Sequence, residues 1–205
     1  MTTSIWGDHL ERWFAIIGHR APSSGTPNLN DLAGSGGRMD VLARSVNSAL
    51  FVSHGIRTDS HVLLHLMGGE GPSRRIWFDG ASLGGVRPDE RSISGQIKGI
   101  LKEAVPPKGH FREFSSGIKH SGGDIGQTIK EWSAKGICAV ILDSDGGDFS
   151  DLPLTEDLGF IISDDKPLNE EDTRAIKDPI TLSLGERWLQ GHSCIAILHY
   201  LLDAN

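Results

Sequence analysis

Residues 124–142 constrain the fold more than any other stretch. From Asp124 to Lys135, Ile125, Ile129 and Trp132 fall on one helical face, Gly136 ends the helix, and Ile137-Cys-Ala-Val-Ile-Leu142 follows as an unbroken apolar run. A strand with no polar alternation is buried on both faces, which requires a sheet covered by helices on either side. The rhythm then repeats. Phe160-Ile-Ile162 and Ile180-Thr-Leu-Ser-Leu184 are short apolar strands separated by a helix, Asn169 to Lys177, whose acidic start suits the helix dipole. A last helix, about His192 to Asp203, gathers Cys194, Ile195, Leu198, Leu201 and Leu202. Together these elements predict an α/β fold on a parallel sheet.

The first half is less uniform. Arg12-Trp-Phe-Ala-Ile-Ile-Gly reads as a buried strand closed by Gly18, and the polar run Arg20 to Asn30 as a loop. Apolar positions Met39, Leu42, Val46, Ala49 and Leu50 predict an amphipathic helix from Arg38 to about His54-Gly55. His61 to Met67 and Arg75 to Phe78 are expected to form a hairpin around Gly68-Gly69-Glu-Gly71-Pro72. Pro88-Asp89-Glu90 opens a helix carrying Ile93, Ile97, Ile100 and Leu101, stopped by Pro106-Pro107. Residues 108–123, broken by glycine and proline, are expected to be a mobile loop.

A net charge of -7 over 205 residues argues weakly against a nucleic-acid partner. The charge is unevenly placed. Residues 1–119 hold 14 Lys/Arg against 11 Asp/Glu, a balance of +3, and residues 120–205 hold 6 against 16, a balance of -10. A basic face on the first half is therefore compatible with an acidic whole. No apolar run approaches the roughly 20 residues of a membrane span, and the N-terminus lacks the basic and apolar regions of a secretory signal, so a soluble intracellular protein is expected. Cys138 and Cys194 are too few for a disulfide framework and too far apart for a zinc knuckle.

Common catalytic motifs fail. Gly34-Ser-Gly36-Gly37-Arg38-Met39 starts like a dinucleotide loop, but Met39 stands where the third glycine belongs. No Walker A loop, nucleophile elbow or H-E-x-x-H helix is present. Asp143-Ser-Asp145-Gly-Gly-Asp148 has Asp148 where a calcium loop needs glycine and reads as an acidic turn. His61 and His65, four apart on a strand, point the same way and read as packed side chains. No metal is expected.

Five strings carry more information than periodicity. Gly34-Ser-Gly-Gly-Arg38-Met-Asp40-Val-Leu-Ala-Arg44, Leu50-Phe-Val-Ser-His54-Gly-Ile-Arg57-Thr-Asp59, Pro88-Asp-Glu-Arg91, Phe160-Ile-Ile-Ser163-Asp164 and His192-Ser-Cys194-Ile-Ala-Ile-Leu-His199-Tyr-Leu-Leu-Asp203 occur in that order. In this the chain resembles the archaeal tRNA pseudouridine-54 N1-methyltransferases, of the SPOUT class of knotted methyltransferases, over roughly residues 30 to 205. The resemblance implies one domain over residues 1–205, a deep trefoil knot and cofactor-binding part over approximately 137–205, a cytoplasmic homodimer, and S-adenosylmethionine as cofactor.

By position in the family pattern, Leu142, Ser163, Leu184 and Cys194 are implied cofactor contacts, with Leu182, Ser183 and Leu189 as walls. Ser163 departs from a common glycine there. Attack by N1 of pseudouridine needs its proton oriented and removed, so Asp59 is the implied proton acceptor and Arg57 the group that steadies charge on the base or a phosphate. An ordinary surface pair between the two is the competing reading. Arg38, Arg44, Arg87 and Arg91 are implied RNA contacts, with capping or a solvated helix face as the alternative. The segment 108–123 is assigned a gripping role on the flipped base. The function so implied is N1-methylation of pseudouridine 54 in the T loop of tRNA. A ribosomal RNA target, or a non-catalytic knotted RNA-binding dimer, remain as alternatives.

Overall fold

The computed structural model describes residues 10–205; the absence of a secretory signal was read largely from residues 1–9, which lie outside them. In chain order the elements are β1 (Arg12–Pro22), α1 (Met39–Leu50), β2 (Phe51–Val52), β3 (Gly55–Ile56), β4 (Ser60–Gly68), β5 (Arg74–Asp79), α2 (Glu90–Leu101), β6 (Arg112–Ser115), β7 (Ile118–Gly122), α3 (Ile125–Lys135), β8 (Cys138–Gly147), β9 (Leu158–Ser163), α4 (Glu170–Ala175), β10 (Ile180–Leu182) and α5 (Gly191–Asp203). Eight strands form one sheet in the order β10-β8-β9-β1-β4-β5-β7-β6, and β2 and β3 form a separate hairpin.

The sheet is mostly rather than wholly parallel. β10, β8, β9, β1 and β4 run parallel, whereas β5, β7 and β6 add an antiparallel arm. Strand alternation splits the core. Phe14, Ile16, Val62 and Leu64 face α1, α2 and α5, where they meet Leu42, Val46, Ile97 and Leu198. Trp13, Ala15, Ile17 and Leu63 face the opposite side with Ile125, Trp132 and Ile161.

Helix ends follow their sequence signals. Asp89 caps α2 by accepting from the Ser92 amide at 2.7 Å, and Asp124 caps α3 from Gln127 at 2.9 Å. Gly136 closes α3 with a positive φ of 77°. Asn169 caps α4 through the Glu171 and Asp172 amides.

Four expectations need correction. Residues 108–123 are not a mobile loop: Ile118 to Gly122 pair with β5, and β6 pairs with β7, turning at Ser116-Gly117. β1 passes through Gly18 to Pro22, with an irregularity between those residues that keeps Pro22 beside Gly68. The acidic turn at 143–147 is the far end of β8, where Gly147 pairs with Leu182 after a register shift. α1 stops at Leu50, because Phe51–Val52 turns back to pair with Gly55–Ile56.

Candidate active site

Parallel strands place their carboxyl ends along one edge, where open α/β sheets bind ligands. At that edge Ser163 ends β9 and its hydroxyl donates to the Lys166 carbonyl. Leu182 is buried at the end of β10, and the Ser183 amide donates to Gly147 O at 2.9 Å while its hydroxyl donates to Ser144 O at 3.1 Å. Gly146 makes this approach possible, since a Cβ there would lie 2.6 Å from the Leu182 carbonyl carbon. Leu142 and Leu184 are half-buried against the core. Cys194, in the first turn of α5, reaches toward the Leu189 carbonyl at 4.0 Å. Burial pushes its thiol up, so it behaves as an apolar wall rather than a nucleophile. The implied cofactor residues therefore lie along this side of the sheet. Leu142 is midway along β8, one residue past its last pair with β9, and Ser163 ends β9; Leu182, Ser183 and Leu184 lie at and after the end of β10, and Leu189 and Cys194 around the start of α5.

This edge suits a sulfonium nucleoside. Leu142, Leu184 and the exposed Leu189 offer apolar surface. The Ser163 side chain is turned onto its own segment, which leaves backbone for recognition, and the exposed Asp143, Asp145 and Asp148 match a cation. A cavity of about 590 Å³ lies nearby but is lined by α3 and α4, His19 and Met67 and by none of these seven residues.

The arginines implied for RNA lie toward the starts of α1 and α2. Arg38 adopts a left-handed conformation (φ 65°) and its guanidinium binds Asp40 at 3.0 Å and Asp165 at 3.1 Å. Those partners hold the Arg38 guanidinium above its usual range: the Asp40 hydrogen bond is the largest cause, and it outweighs burial. The turn before it needs glycine: a Cβ on Gly37 would stand 2.2 Å from the Arg20 carbonyl oxygen. Arg44 bridges Asp40 at 2.8 Å and Glu90 at 2.9 Å, tying α1 to α2. Arg87 and Arg91 are exposed, the latter 3.4 Å from the Asn30 side chain. Arg38 and Arg20 both reach Asp165, two residues past Ser163, so this rim adjoins the cofactor edge.

Asp59 and Arg57 are elsewhere. Asp59 precedes β4 at the amino edge, 3.4 Å from the Arg12 guanidinium, and Arg57 binds Asp203 at 3.1 and 2.6 Å. They do not pair with each other as a simple surface pair. Arg12 lies opposite Leu158 and Ile17 opposite Ser163, so five residues of strand, about 17 Å, separate the two ends. Within one chain the implied proton acceptor and the implied cofactor residues are not brought together.

His61 stacks on Trp13 at 4.1 Å, and His65, wholly buried, lies 3.3 Å from the Thr128 hydroxyl. Burial, helped by Arg75, pushes His65 down to about 3, so it is neutral. Among the described residues no group of three or more His, Cys, Asp or Glu is arranged to hold a metal, and no helix is long and apolar enough to cross a membrane. Missed in the sequence were His19, Arg20, Asp165 and Asp203. The readable signal was a His-Arg doublet and an Asp-Asp doublet at the carboxyl ends of adjacent strands.

Three strands and a helix start thus bring the implied cofactor residues to one edge of an α/β sheet, beside an arginine-rich rim. The chain belongs to the family described as "Putative SAM-dependent RNA methyltransferase", which it matches over residues 11–205. It is similar to the tRNA (pseudouridine(54)-N(1))-methyltransferase of Methanococcoides burtonii, 37% identical over 198 residues covering 95% of this chain and 96% of the relative. The enzyme of the same name from Haloarcula marismortui is 35% identical over 195 residues, covering 94% and 96%. The crystal structure of Archaeoglobus fulgidus Nep1 bound to S-adenosylhomocysteine shares the fold, with a TM-score of 0.68 at 12% identity over 96% of this chain and 100% of that one.

Proposed function

We propose that this protein is a cytoplasmic enzyme that methylates N1 of pseudouridine 54 in the T loop of tRNA, using S-adenosylmethionine and giving N1-methylpseudouridine. The similarity along nearly the whole chain to enzymes named for that reaction carries the reading. The cofactor supplies an electrophilic methyl group. Leu142, Ser163, Leu182, Ser183, Leu184, Leu189 and Cys194 hold it at the carboxyl edge, largely through backbone. Arg38, Arg44, Arg87 and Arg91 draw RNA phosphates to the adjoining rim. Asp59 orients and accepts the N1 proton, and Arg57 steadies charge on the base.

The separation of Asp59 from Ser163 favours a homodimer in which each site draws on both copies. α5 spans the same distance, about 20 Å for 13 residues, from the cofactor edge at Gly191 to the Arg57 contact at Asp203. Its outer face shows Ala196, Ile197, Tyr200 and Leu201, with Tyr200 73% exposed, and Val52 is exposed beyond the end of α1. A two-fold axis across antiparallel α5 helices covers this apolar face and sets the Asp59 end of one copy beside the Ser163 end of the other. The whole chain 1–205 is read as one domain. Its part from about 137 to 205 is read as a trefoil knot on the strength of the resemblance, and within that part the chain leaves edge strand β10 and returns to pack α5 against α1.

Methyl transfer to tRNA transcripts bearing either pseudouridine or uridine at position 54 tests the function. Methylation of the pseudouridine transcript alone is expected, because N1 of uridine is bonded to the sugar. Equal transfer to both would contradict it.

A further inference from the structure

The two carboxylates that follow Ser163 point to opposite sides of the sheet. Asp165 takes Arg20 at 3.2 Å and Arg38 at 3.1 Å. Asp164 accepts from the His19 backbone amide at 2.8 Å and lies 3.1 Å from His19 Nδ1. The other ring nitrogen, Nε2, is 2.7 Å from Oδ2 of Asp172, a buried residue in the first turn of α4. One imidazole thus spans two carboxylates, one on the segment after β9 and one on α4.

A neutral imidazole has one N–H and one lone pair, so either tautomer would set a lone pair against a carboxylate oxygen. Only the imidazolium donates to both. Burial opposes that charge, but the hydrogen bonds to Asp172 and Asp164 outweigh it and raise His19 above its ordinary value. The ring is 13% exposed and borders the 590 Å³ cavity, so protons reach it from solvent. Other charged groups lining that cavity are Glu171 from α4, Lys130 from α3, Asp124 at the cap of α3, and Lys108 from the segment before β6. Lys108 is spent on Asp124 at 2.8 Å, and no cation stands between His19 and its two carboxylates.

We propose that His19 is a positioning residue for methyl transfer: as an imidazolium it fastens the segment 163–169 to α4, fixing the Ser163 backbone at the cofactor edge, and it releases that segment when it loses its proton. The proposal rests on the reading that S-adenosylmethionine binds at this edge. A group whose value is raised in the folded state contributes fully below its ordinary value and stops contributing as pH rises through the raised one. Cofactor affinity therefore falls on the alkaline side.

Calorimetric titration of the intact protein with S-adenosylmethionine, from about pH 6 to about pH 9, brackets the histidine transition. Wild-type affinity is expected to fall about tenfold more over this range than that of His19→Gln, which binds weakly throughout and subtracts the titration of the ligand's own amino group. In turnover, His19→Gln is expected to raise KM for the cofactor and leave kcat unchanged at saturation. Parallel pH dependence in both proteins would overturn the proposal. Ring titration of His19 by NMR, in protein without cofactor, gives a second readout. A value above the ordinary histidine range, reduced by Asp172→Asn, is expected, and titration at or below that range would overturn the bridge. Failure of the wild type to bind S-adenosylmethionine at any pH would instead remove the cofactor reading, and with it the role in transfer, whether or not the ring titrates as a charged bridge.

Discussion

Arg57 holds Asp203 through two hydrogen bonds, of 3.1 and 2.6 Å, and so joins the turn before β4 to the last residue of α5. Arg12 adds a third at 2.6 Å from the first residue of β1. Three segments far apart in sequence meet on one carboxylate. This junction ties the far end of α5 to the Asp59 end of the sheet.

Asp203→Asn tests the junction. Burial disfavours the charge on Asp203, yet hydrogen bonds from Arg57 and Arg12 outweigh it and bring the carboxyl down to about 2. Its side chain is 42% exposed, so solvent screens much of the gain and a loss of about 1 kcal/mol is expected. That lowers Tm by about 2–4 °C in a chain of this size. The folded value is depressed, so the contribution is present above the ordinary carboxylate value and lost as pH falls from about 4 toward about 2. Thermal melts should show the wild type and Asp203→Asn differing at neutral pH and converging as pH falls toward about 2. A constant difference across pH would assign the effect to packing.

Gly37→Ala is expected to cost more. The backbone there has φ 65°, and the added Cβ would lie 2.2 Å from Arg20 O, a backbone atom that cannot swing aside. Left-handed strain and the clash together predict a loss of about 2–4 kcal/mol in denaturant unfolding. Because Gly37 adjoins Arg38, the lesion should also weaken tRNA binding. Stability close to wild type would mean that the turn has room to shift.

The parallel half of the fold was legible because its strands leave continuous apolar runs, as Ile137 to Leu142 and Phe160 to Ile162 do. Of these two only β9 is buried on both faces; in β8 Val140 alone is buried, its neighbours Cys138, Ala139, Ile141 and Leu142 being half-buried. Caps were legible where one side chain decides them, as at Asp89, Asp124 and Gly136. Of the antiparallel arm, β5 was legible as the hairpin partner of β4, but β6 and β7 were not. β7 reads Ile-Lys-His-Ser-Gly, and its buried His120 and Ser121 are satisfied by Arg74, Arg75 and Glu103, partners that hydropathy cannot see. The ordered strings picked out Asp59 and Ser163 but not the distance between them. Strand direction held that information: Asp59 precedes β4 and Ser163 ends β9, and in a parallel sheet those positions lie on opposite edges.

Arg75 shows what anchors the antiparallel arm. Its guanidinium is wholly buried, bonded to Glu131 at 2.7 and 2.9 Å and to Thr128 at 3.0 Å, and it lies 4.8 Å above the Phe111 ring. Glu131 is 28% exposed, so losing Arg75 strands its charge only in part. Arg75→Ala is expected to lose about 2–3 kcal/mol in chemical denaturation, much of it from the emptied buried site and the unpaired Thr128 and Ser121 hydroxyls. Arg75→Met combined with Glu131→Leu should recover a large part of that loss, because the apolar pair replaces both charges at once. A double variant no better than Arg75→Ala would show that shape, rather than the stranded charge, sets the cost.

The proposed composite site makes a prediction that one chain acting alone cannot meet. Asp59→Asn should bind S-adenosylmethionine normally, because the substitution lies about 17 Å along the sheet from Ser163 in its own chain, and should lower the single-turnover rate. Ser163→Trp should block the cofactor edge while leaving Asp59 intact. Each variant alone is expected to be nearly inactive. Co-expressed in equal amount, they form mixed dimers in which one of two sites pairs an intact cofactor edge with the other copy's intact Asp59. Half the dimers are mixed and half their sites are complete, so about a quarter of wild-type activity should return. If Asp59 served the cofactor edge of its own chain, no dimer in the mixture would hold a complete site, and co-expression would restore nothing.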